Sequence, residues 1–318
     1  MVLLLCESVL CFMVGLTIYN NLRQRRILGA SPVIKIPKSS VVFTPNAKLK
    51  YFIEPAPNSW GQNSHPDWLK TYPIYTINAD SLHEVKNYSE DKPPDTYRII
   101  TLGDSFTYGL FVSTKENWTE LLENILNSRL HCPPYKHFDV INLAMTSYDI
   151  EDSVERMRSR GTKYQPDLVI WFLKQDDFDQ INEITYPLAV EYLKKLGGDN
   201  GHIGDYITDD LRKEMGIEKI TQYQTKALFD IRTYYTGKLL IYSMPGLFES
   251  SHINNKKIIE NFVLHDPNAS LFVSSITLRK PGVNGAFPDS HPNQKGHRII
   301  ADDIFHYLTN RNAITCAK

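Results

Sequence analysis

The sequence predicts an α/β fold in which a parallel sheet of about five strands lies between two layers of helices. Two observations carry this prediction: short apolar runs alternate with segments of helical periodicity, and the first of these runs ends at a glycine. Such alternation is typical of parallel sheets, whose strands are buried on both faces. The chain has 318 residues, of which 42% are hydrophobic, so it holds enough apolar material for such a core.

Four apolar runs are predicted strands, and three segments are predicted helices. The strands are Tyr97–Leu102, Phe138–Leu143, Leu168–Phe172 and Lys238–Met244. The helical faces are formed by Trp118, Leu121, Leu122, Ile125 and Leu126, by Ile150, Val154 and Met157, and by Ile300, Ile304 and Leu308. The last of these helices is predicted over Gln294–Thr309. Residues 180–236 are polar and helical, and we expect them to form an insertion that shapes a cleft.

The chain before the sheet falls into two parts. Residues 1–26 begin with the nearly apolar run Met1–Tyr19, which as a helix is about one bilayer thick. Arginines follow this run in place of a cleavage site, so we expect an uncleaved transmembrane anchor; a buried helix is the alternative. Residues 27–95 are rich in Pro, Asn, Ser and Tyr and are predicted to be a linker and an irregular lead-in. Residues 96–318 then form the main domain.

The anchor predicts a membrane location, with the main domain outside the cytoplasm. Arg23, Arg25 and Arg26 on the C-terminal flank of the run favour the opposite orientation. Long domains are translocated despite such charges, so the orientation stays open.

Composition and cysteine spacing exclude several function classes. The formal net charge is −1, so we expect no nucleic-acid partner. The four cysteines include no C-x-x-C pair, which argues against a zinc site or a thioredoxin-like motif. No metal or organic cofactor is implied. Cys132 and Cys316 would pair only if the fold brought them together, and a disulfide between them is not expected.

A serine follows the first predicted strand, in the run Leu102-Gly103-Asp104-Ser105. Ligands of parallel sheets bind beyond the carboxyl ends of the strands, so a serine at this turn faces the expected cleft. A serine hydroxyl is a weak nucleophile and needs a neighbouring base. Gly103 lets the backbone turn tightly before it. The alternative is an ordinary turn, for which Gly, Asp and Ser are all common.

The missing base is found before the last helix, where Asp289 and His291 are two residues apart. In an extended segment, side chains at this spacing point the same way. The carboxylate then holds one imidazole nitrogen while the other faces the serine, which is the arrangement that nucleophilic catalysis requires. The alternative is that Asp289 or Ser290 caps the helix and His291 lies on the surface.

The two motifs together, GDSFTYG after a strand and DSHPNQKGH before the last helix, resemble the SGNH/GDSL hydrolase family. The resemblance covers about residues 75–310 and implies a three-layer, flavodoxin-like fold. It implies that Ser105 attacks an acyl carbon, that His291 takes the serine proton, and that Asp289 orients His291. The supporting residues it implies are Gly103, Asp104 and Asn142.

The resemblance also implies an oxyanion hole, and here the sequence departs from the family in two places. The backbone N–H of Ser105 is one expected donor. Ser147 stands where the family has a glycine that gives a second N–H, and Asp176 stands where the family has an asparagine. An ionised carboxylate cannot donate. Three arrangements are therefore open: a protonated Asp176 donates, Gln175 supplies the amide, or the protein is weakly active or inactive.

The function implied by the resemblance is hydrolysis of an ester-linked acyl group on a small molecule, a glycan or a lipid. One alternative is an O-acyltransferase that uses the same three residues. Another is a non-catalytic, membrane-tethered binding protein of the same fold.

Overall fold

The computed structural model describes residues 43–45, 53–61, 66–69, 73–182, 185, 203–245, 255–311 and 313–316. The predicted anchor over residues 1–26 lies outside these ranges. Within them, no helix is both long and apolar enough to cross a membrane.

Strands and helices alternate through most of the described chain. The strands are β1 (Phe43–Pro45), β2 (Ile53–Pro55), β3 (Ser59–Gly61), β4 (Tyr75–Ile77), β5 (Thr96–Leu102), β6 (His137–Asn142), β7 (Leu168–Phe172), β8 (Lys238–Ser243) and β9 (Ala269–Val273). The helices are α1 (Ser105–Tyr108), α2 (Trp118–Arg129), α3 (Ile150–Arg156), α4 (Ile203–Met215), α5 (Ile217–Tyr234), α6 (Asn255–Leu264) and α7 (Gln294–Asn310).

Five of these strands form one parallel sheet in the order β6-β5-β7-β8-β9, which confirms the predicted α/β architecture. The fifth strand, β9, was not among the predicted strands. It lies at the edge of the sheet, and its residues are half-buried or exposed. An edge strand needs no continuous apolar run, so its sequence carries a weaker signal than those of β5 and β7.

The sheet is covered on both faces, because successive residues of each strand point to opposite sides. On one side, Ile99 packs in a core with residues of α2 and α7, which lie side by side. On the other side, Ile100 packs in a core with residues of α3, α5 and α6. Helix α5 comes from the predicted insertion and lies against α3, so this part of the insertion belongs to the helical layer.

Part of the predicted lead-in packs onto the main domain. Tyr75 and Ile77 of β4 are buried, and Leu82 joins the core on the α3 side of the sheet. His83 is also buried, with Nδ1 hydrogen-bonded to the Tyr108 carbonyl and Nε2 2.8 Å from Thr114 Oγ1. These contacts connect the lead-in directly to the turn that follows β5.

Cys132 and Cys316 form a disulfide, so the expectation that they stay unpaired was wrong. Cys132 lies between α2 and β6, and Cys316 follows α7. Because α2 and α7 pack side by side, the chain segments that follow both helices are brought together. The two cysteines are 184 residues apart, so no local sequence pattern could predict that they meet.

Candidate active site

Ser105 is the first residue of α1, directly after the carboxyl end of β5, and its side chain is nearly buried. Gly103 allows this turn because its φ of 142° lies in a region that L side chains rarely adopt. A Cβ atom on Gly103 would lie 2.7 Å from Thr107 Oγ1 and 2.9 Å from the carbonyl oxygen of Phe172. Backbone angle and space therefore both require glycine here.

Ser105, His291 and Asp289 lie in one continuous line of hydrogen bonds. His291 Nε2 is 2.8 Å from Ser105 Oγ, and His291 Nδ1 is 2.9 Å from Asp289 Oδ2. With the imidazole proton on Nδ1, the histidine donates to the carboxylate and accepts from the serine hydroxyl. A base held in this way can remove the serine proton.

The loop that carries His291 is a turn, in contrast to the extended segment expected from the spacing. Ser290 has a φ of 84°, and its N–H donates to the Phe287 carbonyl at 3.0 Å. Asp289 and His291 still meet, since the Asp289 carboxylate also accepts the His291 backbone N–H at 3.2 Å. Neither alternative cap is used: Asn293 caps α7 by accepting the Gly296 N–H at 3.0 Å.

Asn142 links the turn after β5 to the turn after β6. Its Nδ2 atom donates to the Thr107 carbonyl, and its Oδ1 atom accepts the Ala144 N–H, both at 3.0 Å. Its own backbone N–H donates to the buried Glu84 carboxyl group. A buried amide that hydrogen-bonds backbone groups of both turns holds the turns in fixed positions relative to each other.

Ser147, at the position where the resembled family has glycine, adopts a φ of 62°. This is the left-handed region, which serine tolerates less well than glycine. The Ser147 carbonyl accepts a hydrogen bond from Asn182 Nδ2. The serine thus keeps a backbone conformation that favours glycine.

Asp104 and Asp176 share a buried lysine, Lys174. Lys174 Nζ lies 2.6 Å from Asp104 Oδ2 and 2.8 Å from Asp176 Oδ2. The Asp104 carboxylate also caps α1 by accepting the Phe106 N–H at 2.9 Å, and its Oδ2 atom is 3.3 Å from Ser105 Oγ. Sequence reasoning placed Lys174 in the run after β7 but gave it no role.

The charges in this cluster keep Asp176 ionised. Burial raises the pKa of Asp176, but the charge and hydrogen bond of Lys174 outweigh it and hold that pKa below its ordinary value. Burial lowers the pKa of Lys174, and the charges of Asp104 and Asp176 raise it above its ordinary range. An ionised and paired Asp176 does not fit the protonated donor offered as one alternative.

Gln175, the other candidate donor, has its side-chain Oε1 atom buried without a hydrogen-bond partner in the described part of the chain. Its carbonyl accepts from Asn255 Nδ2 at 3.3 Å and from the Phe178 N–H at 3.1 Å. Among the residues that the structure describes, no hydrogen bond joins this side-chain amide to Ser105.

Aromatic rings surround His291, and sequence reasoning missed all of them. The rings of Phe106 and Phe111 have their centroids 5.3 and 5.5 Å from the imidazole centroid. Trp68, from the lead-in, packs on Phe111 and Phe287, at 5.3 Å from each. Phe111 has a φ of 69°, which is strained for a bulky residue. These side chains come from the lead-in, from the segment that follows β5 and from the loop before α7, where no periodic signal marks them.

Neither a protein-family model nor a curated protein sequence matches the chain. Among solved structures, it is similar to a two-domain esterase active on acetylated mannans, with 15% identity, 70% of this chain and 51% of that chain covered, and a TM-score of 0.43. It is also similar to a protein of the G-D-S-L family from Desulfitobacterium hafniense, with 17% identity, 66% and 99% coverage, and a TM-score of 0.41.

A family two carbohydrate esterase from Clostridium thermocellum, in complex with cellohexaose, has 14% identity, 70% and 66% coverage, and a TM-score of 0.42. The chain spans about half the length of the two-domain esterase. The solved structures to which the chain is similar include two described as esterases and one described as a member of the G-D-S-L family.

Proposed function

We propose that this chain is a serine esterase that hydrolyses an ester-linked acyl group through an acyl-enzyme on Ser105. The observation that carries the proposal is the hydrogen-bonded line from Ser105 through His291 to Asp289, at 2.8 and 2.9 Å. These three groups supply the nucleophile, the base and the orienting acid that acyl transfer needs.

In the proposed first step, Ser105 Oγ attacks the acyl carbon while its proton passes to His291 Nε2. The tetrahedral intermediate then collapses, and the alcohol leaves with the proton that His291 carries. A water molecule next gives a proton to His291 and attacks the acyl-enzyme, which releases the acid and restores the serine hydroxyl. The Asp289 carboxylate stabilises the imidazolium in both halves of the cycle.

The oxyanion that forms in each half needs hydrogen-bond donors. Within the described residues, the backbone N–H of Ser105 donates to no other group, so it is available at the nucleophile itself. We propose the Ser147 N–H as the second donor, because Ser147 stands where the resembled family has the glycine that gives this N–H, and its φ of 62° is one that glycine adopts readily.

We propose an acylated glycan or lipid as the substrate. The support is the aromatic surface of Trp68, Phe111 and Phe287 beside His291, since aromatic rings pack against both sugar faces and acyl chains.

We also propose that residues 1–26 anchor the protein in a membrane with the main domain outside the cytoplasm. The apolar length of Met1–Tyr19 supports the anchor. The Cys132–Cys316 disulfide supports the orientation, because disulfides persist mainly in oxidising compartments.

The test of the proposed reaction is hydrolysis of p-nitrophenyl acetate, butyrate and octanoate by the full chain, beside Ser105→Ala. A fluorophosphonate probe with mass spectrometry of the labelled peptide locates the nucleophile. We expect turnover and labelling at Ser105, both lost in the variant. A folded protein that neither turns over these esters nor labels would favour the non-catalytic binding protein.

A further inference from the structure

We infer that Lys174 is a positioning residue that neutralises Asp176, so that the oxyanion beside Ser105 forms without repulsion from this carboxylate. The inference rests on the proposed esterase function and deepens it. It gives Lys174 a role that is tied to Asp176, which stands where the resembled family has an asparagine.

The position of Lys174 is fixed by contacts on both sides. Its Nζ atom lies between Asp104 Oδ2 at 2.6 Å and Asp176 Oδ2 at 2.8 Å, and its side chain is 8% exposed. The ammonium also lies 4.6 Å from the ring centroid of Phe106. Because Asp104 Oδ2 is 3.3 Å from Ser105 Oγ, one carboxylate oxygen separates the lysine cation from the nucleophile.

Charge explains why this cation is needed. The carboxylates of Asp104 and Asp176 both contact the Lys174 ammonium, and Asp104 Oδ2 lies 3.3 Å from the nucleophile that the substrate carbonyl must approach. The third carboxyl group of the cluster, Asp177, accepts the Lys174 backbone N–H, and burial raises its pKa well above the ordinary value. Lys174 contributes one positive charge to this cluster, so its loss would leave the cluster more negative by one charge.

A purely structural lysine would also bury its charge between two carboxylates. The two roles differ in how Lys174 and Asp176 depend on each other. If Lys174 neutralises Asp176, an amide at position 176 removes most of the need for the lysine. If Lys174 only stabilises the fold, its loss harms the protein whichever residue stands at 176.

The experiment is a double-mutant cycle on the full chain with Lys174→Met, Asp176→Asn and the pair combined, with Lys174→Arg as the charge-conserving control. The readouts are the rate constant for fluorophosphonate labelling of Ser105, whose adduct places an oxygen in the oxyanion hole, and kcat for p-nitrophenyl acetate. Thermal unfolding of each variant separates loss of fold from loss of rate.

We expect Lys174→Met to slow both readouts by about tenfold or more, because it leaves the Asp176 charge without its partner, although the Asp176 side chain is 48% exposed and water screens part of that charge. Asp176→Asn is expected to be at least as fast as the unchanged protein, and the double variant and Lys174→Arg to stay within about threefold of it. A slow Lys174→Met variant beside a fast Lys174→Met/Asp176→Asn double variant would show charge compensation.

Three results would overturn the inference alone while Ser105 still labels in the unchanged protein. The first is an unchanged rate in Lys174→Met, and the second is an equal loss from Lys174→Met in both position-176 backgrounds. The third is a loss of more than about tenfold in Asp176→Asn, which decides the matter even if Lys174→Met does not fold. Absence of labelling in the unchanged protein would instead overturn the proposed function together with this inference.

Discussion

His291 Nε2 lies 2.8 Å from Ser105 Oγ, although 186 residues separate the two in the chain. Ser105 follows β5, the second strand of the sheet, and His291 precedes α7. Helix α7 packs beside α2 on the face that also holds Ile99 of β5. The meeting of base and nucleophile therefore depends on the packing of the last helix, which the two separate motifs do not specify.

The first prediction compares the loss of the His291 imidazole with the loss of the Asp289 carboxylate that orients it. We expect His291→Ala to lower kcat/KM for p-nitrophenyl acetate by about 10³–10⁴-fold, because it removes the base. Asp289→Asn is expected to cost only about 10–100-fold, since the Asp289 side chain is 32% exposed and water screens its charge.

Both variants are compared at equal folded fraction, measured by thermal unfolding, with Ser105→Ala as the inactive reference. An Asp289→Asn loss as large as that of His291→Ala would contradict this prediction. It would show that the carboxylate controls the imidazole more strongly than its exposure indicates.

Sequence predicted the parts of this site that depend on local pattern. Ser105 follows a short run rich in apolar residues, and Asp289 and His291 share one short motif, so both halves of the site could be predicted from the sequence. The turn at Ser290 was not, because a positive φ at a serine has no sequence signature.

Sequence failed where distant segments meet. Trp68 reaches the site from an irregular lead-in, and the disulfide of Cys132 and Cys316 depends on how two helices pack. The ion pairs of Lys174 depend on side-chain directions at the ends of two different strands. Periodicity describes each element alone, so none of these contacts is encoded in it.

The second prediction concerns the backbone at position 147. Ser147→Gly is expected to keep kcat and to change the free energy of unfolding by no more than about 1 kcal/mol, because glycine suits a φ of 62° but gains freedom when unfolded. Ser147→Val is expected to destabilise the protein by about 1–3 kcal/mol, since a β-branched side chain is strained there. Denaturant unfolding and esterase kinetics on both variants provide the measurement.

Equal stability of the glycine and valine variants would contradict the left-handed conformation at this position. A large loss of kcat in a stable Ser147→Gly protein would point to the serine hydroxyl as a functional group.

The third prediction is a loss of stability in acid. Burial lowers the pKa of His83 to about 4 and that of His297 to about 3, both below the ordinary 6.5. The unfolded chain therefore takes up these protons first as the pH falls below about 6.5. Folding stability that is fully present above this pH is lost as the pH approaches the folded values, by about 1.4 kcal/mol per pH unit for each histidine.

The buried Glu84 acts in the opposite direction, because burial raises its pKa and favours the folded state as the pH falls. A variant isolates the histidine contribution. We expect urea unfolding of His83→Gln between pH 6.5 and 4.5 to show a slope smaller by about one proton than that of the unchanged protein. Identical slopes would mean that His83 is protonated in the folded state.

The last prediction concerns the disulfide, which we expect to stabilise the fold without serving catalysis. Cys132 lies just before β6, at the amino end of the sheet, whereas Ser105 follows the carboxyl end of β5. The bond closes a long loop, since 184 residues separate its cysteines, and it fixes the segment that holds the buried Ile314. Changing both cysteines to serine should lower the free energy of unfolding by about 2–5 kcal/mol.

Esterase kcat at a temperature where both proteins are folded should stay within about twofold of the unchanged value, since the bond and the nucleophile lie at opposite ends of the sheet. Adding dithiothreitol should lower the melting temperature of the unchanged protein to that of the double variant and leave the variant unaffected. A fall in kcat in the folded double variant would mean that the position of the C-terminal segment affects the active site. The most direct connection is α7, which links that segment to the loop carrying His291.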